Sequence, residues 1–261
     1  MLPRNELKER LRRGETLAGV FVNLFSPDLV ELLGVLGVDF VVFDGEHTGL
    51  APDQAVELYR AAELRRLAYV TRIGVNHPQV LQQHLESGAL NVLLPLVRDG
   101  EDARRVVAAV KYPPLGRRGL AASRVSDWGF SQPLYEYVEW ANRETLVAVQ
   151  IETPDALRNF DDILQVEGVD VLFFGPSDLS VALGVPGQPT HPKVVDLIER
   201  LGEETLRAGK WAGTIARTPS EVTHWKERGF QWLCTGIAHL LADGVQRYVQ
   251  PFLRTPRIAE T

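Results

Sequence analysis

The sequence is poor in cysteine and lysine, and each shortage excludes a chemistry. Among 261 residues Cys234 is the one cysteine. No internal disulfide can form, and no Cys/His cluster suggests zinc. Its setting, Gln231-Trp232-Leu233-Cys234, is apolar and predicts a buried, inert thiol. The lysines are Lys8, Lys111, Lys193, Lys210 and Lys226. A Schiff-base mechanism needs one of them in the site. Lys210 opens a strand, at the end away from the expected site, and the others fall in helices or loops, so that route is disfavoured. No Lys/Arg block appears, and the net charge of −6 is spread out. Nucleic acid is therefore not an expected partner. No apolar stretch is long enough to span a membrane, and Met1 to Arg13 is too charged for a signal peptide, so a cytoplasmic location is expected.

What is present is an ordinary globular composition, 45% hydrophobic and 24% charged. Eight short apolar runs recur at Ala18–Val22, Asp39–Phe43, Ala68–Ile73, Asn91–Leu94, Leu146–Ile151, Val169–Phe174, Lys210–Thr214 and Gln231–Thr235. They do not alternate with polar residues, as expected of parallel strands covered on both faces. Between them, amphipathic segments open at Ser26-Pro27, Ala51-Pro52, His77-Pro78, Thr153-Pro154, His191-Pro192 and Thr218-Pro219. Proline suits a first helical position because its missing N–H costs nothing there. Gly37, Gly88, Gly168, Gly209 and Gly229 fit left-handed helix ends before the next strand. Eight such units in one domain spanning 1–261 predict a closed (β/α)8 barrel of the TIM type. An open doubly wound sheet is the alternative, weakened by the lack of a glycine-rich phosphate loop after the first strand. Residues 112–143 break the alternation and read as a long functional or assembly loop.

Barrel active sites lie at the C-terminal ends of the strands. Asp44-Gly45-Glu46-His47 ends the second run, Arg72 the third, Gln150-Ile151-Glu152 the fifth, and Gly175-Pro176-Ser177-Asp178 follows the sixth. These groups would converge on one rim. Glu152 and Asp178 suit a hard divalent cation with positions left open, or merely favour the positive starts of the next helices. His47 suits a general base, a metal ligand or a structural histidine. Arg72 suits stabilisation of negative charge on a substrate oxygen, or a buried ion pair with Glu46 or Asp44. Backbone N–H groups from Gly175 to Ser177 suit a carboxylate or an ordinary helix cap.

These motifs, Phe43-Asp44-Gly45-Glu46-His47, Gln150-Ile151-Glu152-Thr153 and Gly168-Val169-Asp170…Phe174-Gly175-Pro176-Ser177-Asp178-Leu179-Ser180, resemble those of the HpcH/HpaI aldolases. The resemblance runs from about Gly19 to the last strand. It implies a barrel of the phosphoenolpyruvate/pyruvate-domain type and a class II pyruvate aldolase that cleaves a 4-hydroxy-2-oxo acid to pyruvate and an aldehyde. Glu152 and Asp178 would hold Mg²⁺ or Mn²⁺, with Co²⁺ as a further candidate. Arg72 and the metal would stabilise the pyruvate enolate, and His47 would be the base. Asp44, His47, Arg72 and Glu86 form the expected catalytic set. Gln150, Gly175, Pro176, Ser177 and Phe21 would contact the keto acid or line its pocket.

The resemblance also implies a homo-hexamer, a dimer of trimers, in which the stretch 117–129 with Arg124 reaches a neighbour's site. Two departures stand out. The family usually carries an aspartate at Glu86, supporting the histidine, and often one at Ala238. A metal-dependent decarboxylase of oxaloacetate-like acids and a non-catalytic keto-acid-binding barrel are the competing readings. A CoA-dependent, citrate-lyase-like enzyme is a more distant one.

Overall fold

In the computed structural model, which describes residues 4–252, the apolar runs form strands β1 (Leu17–Val22), β2 (Phe40–Asp44), β3 (Ala68–Arg72), β4 (Asn91–Leu94), β5 (Leu146–Ile151), β6 (Val171–Phe174), β7 (Trp211–Ile215) and β8 (Trp232–Gly236). Each lies within two residues of its expected bounds. All pair in parallel with their chain neighbours, and β8 closes onto β1, giving the (β/α)8 barrel. The open sheet is excluded.

The helices are α1 (Glu6–Arg12), α2 (Pro27–Val35), α3 (Pro52–Leu64), α4 (Pro78–Ser87), α5 (Gly100–Val110), α6 (Leu134–Glu144), α7 (Pro154–Arg158), α8 (Phe160–Leu164), α9 (Pro176–Ala182), α10 (Pro192–Arg207), α11 (Pro219–Glu227) and α12 (Ile237–Val249). The six expected prolines each open a helix. Ser26, Thr153 and Thr218 cap theirs by accepting N–H bonds from Leu29, Ala156 and Glu221. Gly37, Gly168, Gly209 and Gly229 adopt left-handed φ near +74 to +85°, and Gly88 lies at +140°. Residues 112–143 are less irregular than expected. After a 3₁₀ stretch at Arg124–Gly129, α6 forms because Tyr137, Ala141 and Glu144 share one buried helical face.

Strand parity sorts the core into two layers. Phe40, Val42, Val70, Leu146, Ala148, Val171, Phe173, Trp232 and Cys234 fill the barrel interior, while Val41, Phe43, Val147, Val149, Leu172 and Phe174 face the helices. Phe40 and Trp232 meet edge to face at 4.7 Å. Cys234 is buried and free, and burial pushes its thiol up. The close packing requires Gly19. A Cβ there would lie 2.3 Å from the Phe40 ring and 2.6 Å from Cys234 Sγ. Gly19→Ala is expected to lower stability by about 2–3 kcal/mol through overpacking. A melting temperature unchanged from wild type would contradict that account of the layer.

The lower end, where the strands begin, is sealed by α1. Leu7 and Leu11 join the interior cluster. Asn5 donates to Asn91 Oδ1 at 2.6 Å and to the Glu144 carbonyl at 2.7 Å, and Lys8 Nζ lies 3.0 Å from Asp170 Oδ1. Lys210 donates to the Val166 and Val169 carbonyls at this same end, as expected. The upper end stays open. Among the described residues no helix is long and apolar enough to cross a membrane.

Candidate active site

The parity that turns Phe40, Val42, Val70 and Ala148 inward continues upward. It brings Asp44, Arg72 and Gln150 inward at the upper rim, around a cavity of about 240 Å³. Phe21, His47, Gly175, Pro176, Ser177 and Asp178 share its wall. No lysine lines it.

Arg72 is the hub. Its Nε donates to Asp44 Oδ1 at 2.9 Å and its Nη2 lies 2.8 Å from Asp44 Oδ2, a two-pronged contact. Nη1 lies 2.9 Å from Glu46 Oε2 and donates to Gln150 Oε1 at 3.3 Å. The guanidinium sits 4.8 Å above the Phe21 ring, which in turn meets Phe173 edge-on. The ion pair with Asp44 and Glu46 and the place on the rim are thus both realised. Burial pushes Asp44 up, but the Arg72 hydrogen bonds and charge outweigh it and hold the carboxyl below its usual range. Asp44 Oδ1 also accepts the Glu46 and His47 backbone N–H groups at 3.0 and 3.3 Å, fixing the turn that presents His47. The imidazole is exposed, with Nε2 3.7 Å from Glu46 Oε2.

Glu152 sits just above the end of β5, almost fully buried. It accepts from the Leu96 N–H at 2.9 Å and from the Gln150 amide. Burial pushes its carboxyl up to about 7. The Leu96 hydrogen bond opposes this, and the Glu46 and Asp178 charges add to it. Glu46 is pushed up by its own burial, while Arg72 pulls it down. Its Oε2 has no hydrogen bond despite its closeness to Arg72, because the donor is poorly aligned. Gly175 leaves room above Glu152: a Cβ there would lie 2.7 Å from Oε2. Crowded carboxylates short of donors, beside a void, fit a hard divalent cation that would relieve their mutual repulsion. Among the described residues no cluster of three or more His, Cys, Asp or Glu could hold a metal by itself. The fit is therefore to Glu152 and Asp178 with positions left for water and substrate.

Two expected residues are elsewhere in the chain. Glu86 lies near the end of α4, bonded to Gln82 Nε2 at 2.8 Å. This helix runs from the rim towards the lower end, about eight residues or roughly 12 Å by its rise, so Glu86 does not support His47 within the chain. Arg124 pairs with Glu63 and reaches the Ser87 carbonyl at 3.4 Å, at the lower ends of α3 and α4. It lines a larger cavity of about 740 Å³ with Tyr69, Trp128 and Trp140, remote from the rim acids. Conversely, the rim holds residues not singled out as site residues in the sequence: Glu46, inside the quoted motif, and Asn23, Phe173, Ile215, Arg217 and His239. The positions of Asn23, Arg217 and His239 just past strand ends were the available signal.

Comparison with known proteins agrees with this geometry. Residues 17–239 match the model of the family described as HpcH/HpaI aldolase/citrate lyase. A hydroxypyruvate/pyruvate aldolase of Sagittula stellata is 35% identical over 237 residues, covering 90% of this chain and 92% of the relative. A 2-keto-3-deoxy-L-rhamnonate aldolase of Salmonella paratyphi B is 36% identical over 244 residues, covering 91% and 88%. A family protein of Burkholderia cenocepacia superposes with a TM-score of 0.89 at 28% identity, covering 95% of this chain and 99% of the other. The chain belongs to the HpcH/HpaI aldolase/citrate lyase family and is an aldolase, a carbon–carbon lyase.

Proposed function

We propose that this protein is a divalent-metal-dependent class II aldolase that cleaves a 4-hydroxy-2-oxo acid to pyruvate and an aldehyde, and runs the reverse addition. The observation that carries the reading is the Arg72 guanidinium, braced by Asp44 and by Gln150, whose amide in turn donates to the buried Glu152. Mg²⁺ or Mn²⁺ held by Glu152 and Asp178 would supply Lewis-acid charge where the enolate develops.

The chain's own groups do the rest. Arg72 directs donors at the keto-acid oxygen that gains charge as the C3–C4 bond breaks. His47, exposed at the rim with Glu46 beside it, takes the C4 hydroxyl proton as that bond's electron pair moves towards the enolate. The aldehyde leaves, and C3 takes a proton to give pyruvate. Gln150 ties Arg72 to Glu152, and Phe21 walls the pocket. The Gly175–Ser177 backbone at the start of α9, which lines the cavity, would bind the keto-acid carboxylate.

The test is NMR of deuterium exchange into the pyruvate methyl group, with chelated protein and then with Mg²⁺ or Mn²⁺ restored. Metal-dependent exchange is expected, and its absence with every divalent metal in folded protein would overturn the reading. His47→Ala should slow aldol cleavage about 10²–10⁴-fold, the range for a general base, and slow methyl exchange less. Equal loss of both would remove His47 as the hydroxyl base.

The assembly reading is a homo-hexamer with sites between subunits. Leu240, Leu241, Val245 and Tyr248 of α12 are exposed, more apolar surface than a solvated helix needs. Arg124 lies at the lower end of its own barrel, so in this reading any part it takes in catalysis is played in a neighbouring subunit's site. Coexpressed Arg124→Ala and His47→Ala chains are then expected to recover about a quarter of wild-type sites by random pairing. No recovery over either variant alone would place Arg124 outside the site.

A further inference from the structure

The rim cavity has two poles. Asp44, Arg72 and Gln150 line it from β2, β3 and β5 and Asp178 from the start of α9, with Glu46 and Glu152 just past the ends of β2 and β5 behind them. The opposite arc, past the ends of β7, β8 and β1, presents Arg217, His239 and Asn23 across the apolar side chains of Ile215, Phe173 and Phe21. Arg217 is half-buried where this cavity adjoins a second one of about 270 Å³, which it also lines.

Its guanidinium has no hydrogen bond or ion pair among the described residues. Most arginines of this chain, such as Arg10, Arg65, Arg98 and Arg105, are paired with a carboxylate. The nearest carboxylate in sequence, Glu221, instead accepts the Arg217 backbone N–H at 2.7 Å and the Thr218 hydroxyl caps α11. The backbone of Arg217 is thus pinned while its charge is left to face the cavity. A partly desolvated guanidinium without a partner is unfavourable unless an anion meets it.

We infer that Arg217 is a specificity-determining residue that binds the anionic end of a carboxylated aldehyde acceptor. This rests on the pyruvate-aldolase reading above. In that reading the carboxylate of pyruvate is met at the β5–β6 side, so a second cation across the cavity serves a second anionic group, which arrives with the aldehyde. The chain separating the two groups is short, because the cavity is small, and it lies against Ile215 and Phe173.

The experiment compares additions of pyruvate to 4-oxobutanoate and to butanal, matched in length and differing in charge, with the metal-loaded enzyme. Wild type is expected to favour 4-oxobutanoate in kcat/KM by about 30-fold, the range for a hydrogen bond to a charged group. Arg217→Ala should collapse that ratio towards one, mainly through KM for the charged aldehyde, and Arg217→Glu should invert it. Using the ratio cancels any general loss of folded enzyme. A wild type that uses both aldehydes equally, or a ratio that survives Arg217→Ala, overturns the inference. Methyl exchange in wild type keeps the two readings apart. Exchange without charge preference removes the role of Arg217 alone, whereas absence of exchange removes the aldolase reading beneath it.

Discussion

Arg72→Lys is expected to lower kcat/KM by about 10³-fold although the positive charge is kept, at the upper end of what one preorganised oxyanion donor contributes. The guanidinium donates to Asp44 Oδ1 and Gln150 Oε1 and lies within ion-pair distance of Asp44 Oδ2 and Glu46 Oε2, with the Phe21 ring against its face. A lysine ammonium is a point charge on a flexible stem and cannot hold two oxygens of one carboxylate while stacking on a ring. Asp44 is almost fully buried, so its loss of the paired donors also loosens the turn it organises through the Glu46 and His47 N–H groups. The fall should appear in methyl exchange as well as in aldol cleavage, because Arg72 acts on the enolate common to both. Exchange near the wild-type rate in Arg72→Lys would make Arg72 a structural anchor only.

The second large effect is that of Glu152→Gln, and it has opposite signs for activity and for metal-free stability. Activity should fall by about 10³-fold or more, since an amide neither neutralises a divalent cation nor takes its place by charge. Stability should behave otherwise. The Glu152 carboxyl rises from an ordinary 4.5 to about 7 on folding. Between those values the folded chain keeps a proton that the unfolded chain has lost. The associated stability is full below the unfolded value and is lost as pH rises through the folded one. Metal-free wild type should therefore lose about 3 kcal/mol between pH 5 and 8 from this group, at 1.36 kcal/mol per unit. In Glu152→Gln that component of the decline should vanish. Melting curves of chelated protein across this window read the effect directly. Parallel pH profiles for wild type and Glu152→Gln would show that Glu152 is not the strained carboxylate of the site.

The barrel was legible because its punctuation is local. Proline at six helix starts and glycine at five helix ends act through their own backbone preferences, which tertiary packing had no cause to override. Asp44, Arg72 and Gln150 were legible for a related reason: their inward direction follows from the two-residue period of each strand. Glu86 was harder, since its distance from His47 depends on how far α4 descends from the rim. Arg124 and α6 lie in a stretch whose local pattern does not say to which end of the barrel it returns. Arg217 and Asn23 sit one or two residues past a strand, where strand parity stops and only folded geometry turns a side chain inward. α1 gave no signal as a plug because Leu7 and Leu11 look like any amphipathic pair until the barrel beneath them closes.

That plug sets the order in which molecules can come and go. With Leu7 and Leu11 seated among the interior side chains, the described residues form a packed column beneath the catalytic chamber, which opens at the upper rim. In the proposed reaction the enolate half stays held against Arg72 on one side of the chamber, while the aldehyde half, on the opposite side, is released by the bond cleavage itself. In cleavage the aldehyde must therefore depart first. In the synthetic direction pyruvate must bind first, an obligatory sequence in which pyruvate as product competes with the 4-hydroxy-2-oxo acid while the aldehyde does not.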